Sequence, residues 1–258
     1  MKKNLQLKLI STISFVGVLI VNALAIFLPL NGLSTKQVSD LYPNFFTPAG
    51  ITFSIWSIIY LLLAGFVVLM WQRRNSLLIK RILPAFILSC VLNIGWLLAW
   101  HFLLPVLSVI IMLSLLTSLI RIFLIIQKDS SFDKLEALLV VMTFRIYLAW
   151  ICVATIANLA ALLVHWNLSS TESTQELWTI VMMAIASFLA IFFLRRFRSW
   201  SFAIVVLWAL FGICLRWGSG EHPEIVFSGI LLMIAVVSLL AYTLFRLQRM
   251  YPQRDLKK

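Results

Sequence analysis

The chain has 258 residues, of which 62% are hydrophobic and only 12% charged, against about 45–50% and about 25% in a soluble domain. A fold this short could not hide so much apolar surface from water, so lipid is the solvent for most of the sequence. Disorder, collagen and a secreted disulfide scaffold are excluded by the apolar fraction together with 9 Gly, 7 Pro and 3 Cys.

A bilayer-spanning helix needs about 20 predominantly apolar residues. Eight stretches qualify: 9–30, 50–71, 82–101, 105–126, 138–164, 177–194, 200–217 and 225–245. The expected fold is an all-α integral membrane protein with eight transmembrane helices. Pro105 suits the first turn of the fourth span, where its missing N–H costs nothing. Ala23-Leu24-Ala25 looks like a signal-peptide cleavage site, but the apolar run continues through Leu30, so the first span is expected to be retained.

The net charge of +12 would direct a soluble protein towards nucleic acid. Here the basic residues punctuate the apolar runs and alternate from loop to loop. The N-terminus carries Lys2, Lys3 and Lys8, and the second loop Arg73, Arg74, Lys80 and Arg81. The fourth loop carries Arg121, Lys128 and Lys134, the sixth Arg195, Arg196 and Arg198, and the tail Arg246, Arg249, Arg254, Lys257 and Lys258. That places 18 of the 21 basic residues on one side. The positive-inside rule then puts both termini in the cytoplasm. The expected location is a bacterial cytoplasmic membrane, with lipid as a partner and nucleic acid not.

Between the first two spans lies Phe46-Thr47-Pro48-Ala49-Gly50, followed by Phe53, Trp56 and Tyr60. Spacings of three and four put the last three rings on one helix face. An interfacial aromatic belt accounts for Phe53 but poorly for Tyr60, about 15 Å below Gly50 at 1.5 Å per residue. This stretch resembles the tryptophan-rich sensory protein or translocator protein family, once called peripheral benzodiazepine receptors. That family carries Trp-x-Pro-Pro-Gly and then Phe, Trp and Tyr at this spacing. Leu92-Asn93 with Trp96 is similar to its Leu-Asn-x-x-Trp, and Tyr147-Leu148-Ala149-Trp150 with Ala154-Thr155 and Asn158 to its fifth-span pattern. The chain departs from the family at Phe46, at Ala49 and at Leu97-Leu98, where the family has Trp, Pro and Ser-Pro.

The resemblance covers a five-helix unit, residues 1–168, and leaves 169–258 as a three-helix extension with a basic tail. It implies a membrane-embedded sensor, carrier or scavenger for a hydrophobic planar small molecule such as a porphyrin or haem, with no cofactor required. The ligand-binding residues it implies are Phe46, Pro48, Phe53, Trp56, Tyr60, Asn93, Trp96, Tyr147, Trp150, Ala154 and Asn158. The pocket would lie among spans one, two, three and five, in their outer halves, with the 31–49 loop as a lid. Trp56 and Trp150 match family tryptophans implicated in porphyrin photochemistry, so they are the candidates if the protein is a light-dependent porphyrin-degrading enzyme. Other readings are a transporter or permease subunit, and a structural role in which the extension docks a partner or a second copy as a homodimer.

Read from the residues alone, Asn22, Asn93 and Asn158 must be hydrogen-bonded within the bundle, as interhelical ties or as pocket lining. Trp71, Trp100, Trp166, Trp178, Trp200 and Trp217 fall at span ends, where amphipathic rings are expected, whereas Trp56, Trp96, Trp150 and Trp208 lie deeper. His101, His165 and His222 map to the outer ends of spans without local ligand spacing, so no metal site is expected. Arg145 is shallow enough to snorkel to the cytoplasmic side, and Cys90, Cys152 and Cys214 read as small apolar filler. No Asp, Glu or Lys falls mid-span, no phosphate loop or Ser–His–Asp set occurs, and coupled pumping or hydrolysis finds no support.

Overall fold

A computed structural model describes residues 2–28, 30–33, 35–73, 76–129, 132–168 and 171–250. Arg74, Arg254, Lys257 and Lys258 of the basic segments lie outside the described residues. The described chain is helical, and no strand occurs in it. The long helices are α1 (Lys2–Phe27), α2 (Ile55–Gln72), α3 (Leu77–His101), α4 (Pro105–Gln127), α5 (Thr143–His165), α6 (Glu172–Phe197), α7 (Trp200–Arg216) and α8 (Pro223–Met250). A 3-10 turn, Gly50–Ser54, leads into α2, and a short helix, Thr35–Asp40, sits in the loop before it. Lys134–Glu136 and a π-helical turn, Ala137–Met142, run continuously into α5.

Seven of these helices are long and apolar enough to cross a membrane; α7, with 17 residues, is shorter. The protein is therefore a multi-pass membrane protein with seven such helices among the described residues, where the sequence suggested eight.

The ends follow local chemistry. The Ser76 hydroxyl accepts from the Ile79 amide at 3.3 Å and caps α3, which begins five residues before the apolar run because Lys80 and Arg81 extend its first turn. Pro84 sits within α3 without ending it. Asp133 and Glu136 form a capping box at the start of the fifth segment. Arg73 also pairs with Asp133, which holds the second and fourth loops together at one end of the bundle. Leu103, at φ 56, makes the turn between α3 and Pro105, the first residue of α4.

In lipid, helices gain little from apolar burial alone and associate through close packing and interhelical hydrogen bonds. α3 packs on α1 and α4, α4 on α5, and α2 on α1 and α5. Phe66 of α2, Phe86 of α3 and Phe144 of α5 meet edge to face at 5.0–6.1 Å, and Phe15 of α1 joins Phe86. α7 packs against α5 and against the Gly50–Ser54 turn, and α6 and α8 flank it. The approach of α7 depends on Gly212: a Cβ there would overlap the Thr52 side chain. The last three helices are thus packed onto the first five.

Candidate functional site

The loop before α2 is built rather than slack. The Asn44 side chain is buried, accepts from the Thr47 amide at 3.0 Å and donates to the Tyr42 carbonyl at 2.8 Å. Phe46 points into the core at 1% exposure. Tyr42 packs on Trp100 at 5.7 Å, and burial raises its phenol above the ordinary value. Trp100 is itself buried, where an interfacial ring was expected.

Four contacts join α7 to this segment. The Ala49 amide donates to the Gly212 carbonyl at 2.9 Å, and the Trp208 indole N–H to the Thr52 carbonyl at 2.9 Å. The Trp217 indole donates to the Phe45 carbonyl at 2.9 Å, and Arg216 reaches the Thr47 carbonyl at 3.4 Å. Trp217 is therefore engaged by the loop rather than serving only as a membrane anchor.

Below the loop the expected site residues converge. Trp56 stacks on Tyr60 at 5.4 Å and on Trp96 at 6.0 Å, and meets Tyr147 and Trp150 edge to face at 6.2 Å. Phe53 meets Trp150 edge to face at 6.3 Å. Spacing had put Phe53, Trp56 and Tyr60 on one face of α2, and the structure adds rings from α3 and α5 to them.

The polar groups beneath the rings satisfy one another. Tyr60 donates to Asn22 Oδ1 at 2.8 Å, Asn22 to Asn93 Oδ1 at 3.3 Å, and Asn93 to the Tyr147 hydroxyl at 3.2 Å. Asn158 Oδ1 accepts from the Trp96 indole at 3.1 Å and from Ser108 at 2.6 Å, while its amide donates to the Ala154 carbonyl at 2.9 Å. All three intramembrane asparagines therefore tie helices together. Within the cluster Trp150 differs: it is 3% exposed and its indole nitrogen has no hydrogen-bond partner, as is also true of buried groups elsewhere such as Ser11 and Ser199. The Thr52 hydroxyl, likewise buried, also lacks one.

A cavity of about 270 Å³ opens at the rim of this cluster, lined by Ser39, Asp40, Thr47, Pro48, Ala49, Gly50, Phe53 and Arg216. Pro48 and Phe53 are the expected site residues on its wall, and Phe53 separates it from Trp150. In the space among spans two, three and five, part of where sequence suggested the pocket, the rings of the cluster pack on one another. Ala154 is half-buried against that packing. Sequence reading placed Trp208 deep in its span but not at this site, and missed Ser108, Thr52, Gly212 and Arg216. Trp208, Gly212 and Arg216 meet the loop and the turn after it across more than 150 residues, a relation no local spacing carries.

The three histidines do not come together. His101 is fully buried, with Nδ1 at 2.9 Å from the Leu97 carbonyl. His165 packs edge-on against Tyr42, and His222 lies beside Glu172 and Glu176.

Comparison with protein families gives a match to the model of the TSPO-like protein family over residues 8–243. The match runs on through α6 and α7 into α8, beyond the five-helix unit that the motifs cover. Comparison with curated proteins and with solved structures finds no match.

Proposed function

Because the chain belongs to the TSPO-like protein family, a family of membrane-embedded binding or transport proteins, we propose that it binds a hydrophobic planar ligand of the porphyrin or haem type. The ligand enters at the outer rim, between the loop and the C-terminal end of α7. The observation that carries this reading is the unpartnered indole N–H of Trp150, buried one ring behind the cavity wall. Leaving a buried donor unmet costs about 1–3 kcal/mol; other buried groups among the described residues are also unmet, and this one is set apart by its contact with a ring of the cavity wall. A ligand carrying an acceptor that reaches past Phe53 satisfies that donor and uses the Phe53 ring on the wall for stacking.

Two further features support the reading. Binding sites for small molecules are apolar with a few placed polar groups, and occupy about 300–1,000 Å³. The cavity is just below that range, so a macrocycle needs Phe53 to turn aside. Arg216 on the wall supplies a cation for an acidic substituent on the ligand, beside the Asp40 carboxylate on the same wall. The basic loops face the cytoplasm in this reading, both termini included, and the rim faces the opposite side.

The test is titration of purified protein with protoporphyrin IX, followed by tryptophan quenching. The wild type saturates. Trp150→Phe, which keeps a ring and deletes the N–H, weakens binding by several-fold, and Arg216→Gln weakens the dicarboxylate porphyrin more than its dimethyl ester. Absence of saturable quenching in the wild type removes the proposal.

A further inference from the structure

Outside the aromatic cluster, one group of side chains gathers metal-binding chemistry. Glu172 and Glu176 sit one turn apart at the start of α6, so their carboxylates share a face. His222, immediately before α8, brings Nδ1 to 2.9 Å from Glu176 Oε1 and 3.6 Å from Glu172 Oε1. One ligand atom from each residue lies within 4.8 Å of the other two.

We propose that Glu172, Glu176 and His222 form a binding site for a divalent transition-metal ion of the zinc class. The donor set fits: imidazole and carboxylate together suit zinc and its neighbours, whereas magnesium and calcium take oxygen alone. The spacing fits as well. Ligand bonds of about 2.0–2.1 Å in a tetrahedron place neighbouring donors roughly 3.3 Å apart; the two His222–glutamate separations bracket that value, the shorter being a direct hydrogen bond that a bound ion would replace.

The imidazole is also held in place independently of the glutamates. His222 is 7% exposed. Its ring packs at 4.2 Å on Phe45 and at 4.9 Å on Trp217, whose indole N–H bonds to the Phe45 carbonyl. Fixing the ring of a ligating histidine is what the surroundings of a metal site ordinarily do. Charge points the same way. Among the described residues, neither glutamate pairs with a Lys or Arg, and His222 is the only ion-pair partner of both. The N-terminal amides of α6 favour the Glu172 carboxylate, which lies in the first turn, and leave Glu176 to its histidine partner. Three protein donors leave a fourth position for water. A bound ion would cross-link α6 to the segment before α8, and through Phe45 to the loop.

The inference is independent of the porphyrin reading. Zinc chloride is titrated into tag-free, chelator-treated full-length protein in nanodiscs and followed by calorimetry, with thermal unfolding measured in parallel. One equivalent is expected to bind and to raise the unfolding temperature. Glu172→Gln, at a side chain 70% exposed and thus tolerant of change, weakens binding ~10-fold or more, by analogy with losses at metal sites elsewhere. His222→Gln and Glu176→Gln do the same, while His165→Gln leaves affinity unchanged. Absence of a one-to-one isotherm at millimolar zinc, or equal affinity in Glu172→Gln and wild type, overturns the proposal.

Discussion

The indole N–H of Trp208 donates to the carbonyl of Thr52 at 2.9 Å, across 156 residues of chain. The bond joins α7 to the turn that opens α2, directly above the Phe53–Trp56–Trp150 cluster. It gives the last three helices a part in shaping the site, although none of the motif residues lies on them.

Crowding at Gly212 tests that role. Gly212→Ala places a methyl group against Thr52. Overpacking of this kind typically costs about 1–3 kcal/mol, and the cost should appear as a lower unfolding temperature in detergent. Pairing it with Thr52→Ala, which removes the nearest opposing atom, Oγ1, and Cγ2, restores most of the loss. Independent, additive effects in the double variant would show that the contact is unimportant.

The asparagine network makes a second prediction. Asn93 donates to Tyr147 and accepts from Asn22, so Asn93→Leu breaks two interhelical bonds, although the Asn22 amide keeps its bond to the Val18 carbonyl. Interhelical hydrogen bonds in membranes are worth about 0.6 kcal/mol on average and up to about 1.7. Stability should fall by an amount near the upper end of that range, and Tyr147→Phe in the same background should add little. The same reasoning separates Ser108→Ala, which removes one of two donors to Asn158, as the milder change.

Ligand contact and core packing predict different outcomes at the rings. If Trp56 and Trp150 stack on porphyrin, Trp→Ala at either weakens binding by roughly 1–3 kcal/mol, the range for aromatic stacking elsewhere. Ala154→Leu fills adjacent space and blocks binding. Full affinity in all three variants would exclude the cluster as the site. Illumination of the saturated complex distinguishes binding from degradation: an unchanged porphyrin absorption spectrum means that the protein holds its ligand without converting it.

Cysteine labelling in whole cells resolves the crossings. Residue 75 should react only from the cytoplasm, and residues 36 and 220 only from outside. Residue 220 reports on α7, because a non-crossing α7 would leave it on the side of Arg198. Intact mass should include residues 1–25, as expected of a retained first span.

Much of the helical framework was legible because a lipid-facing chain has few choices. Apolar runs of about 20 residues between basic loops mark spans within a few positions, as Pro105–Gln127 against 105–126 shows. The start of α3 was read late because Lys80 and Arg81 look like loop, although a helix turn can leave the bilayer intact. The π-helical turn at Ala137–Met142 has no sequence signature. Tyr60 and Asn22, 38 residues apart, each announced only that a polar group lay in hydrocarbon. Their pairing came from the way α1 and α2 are packed. The cluster of rings could be anticipated from motif spacing, but Arg216 could not, because a basic residue at a span end resembles any other.

The brevity of α7 has a consequence for the surrounding lipid. At 1.5 Å per residue its 17 residues rise about 26 Å, less than the roughly 30 Å of a typical hydrocarbon layer. Ile204, Phe211 and Leu215 are exposed along it, so if α7 crosses the bilayer, the leaflets beside that face must draw together or the helix ends must be covered by neighbours. Mismatch of this kind costs fractions of a kcal/mol per Å. Acyl-chain length therefore acts on the same element that clamps the loop, and bilayers of shorter-chain lipids should hold the rim of the cavity in place more firmly than longer-chain ones.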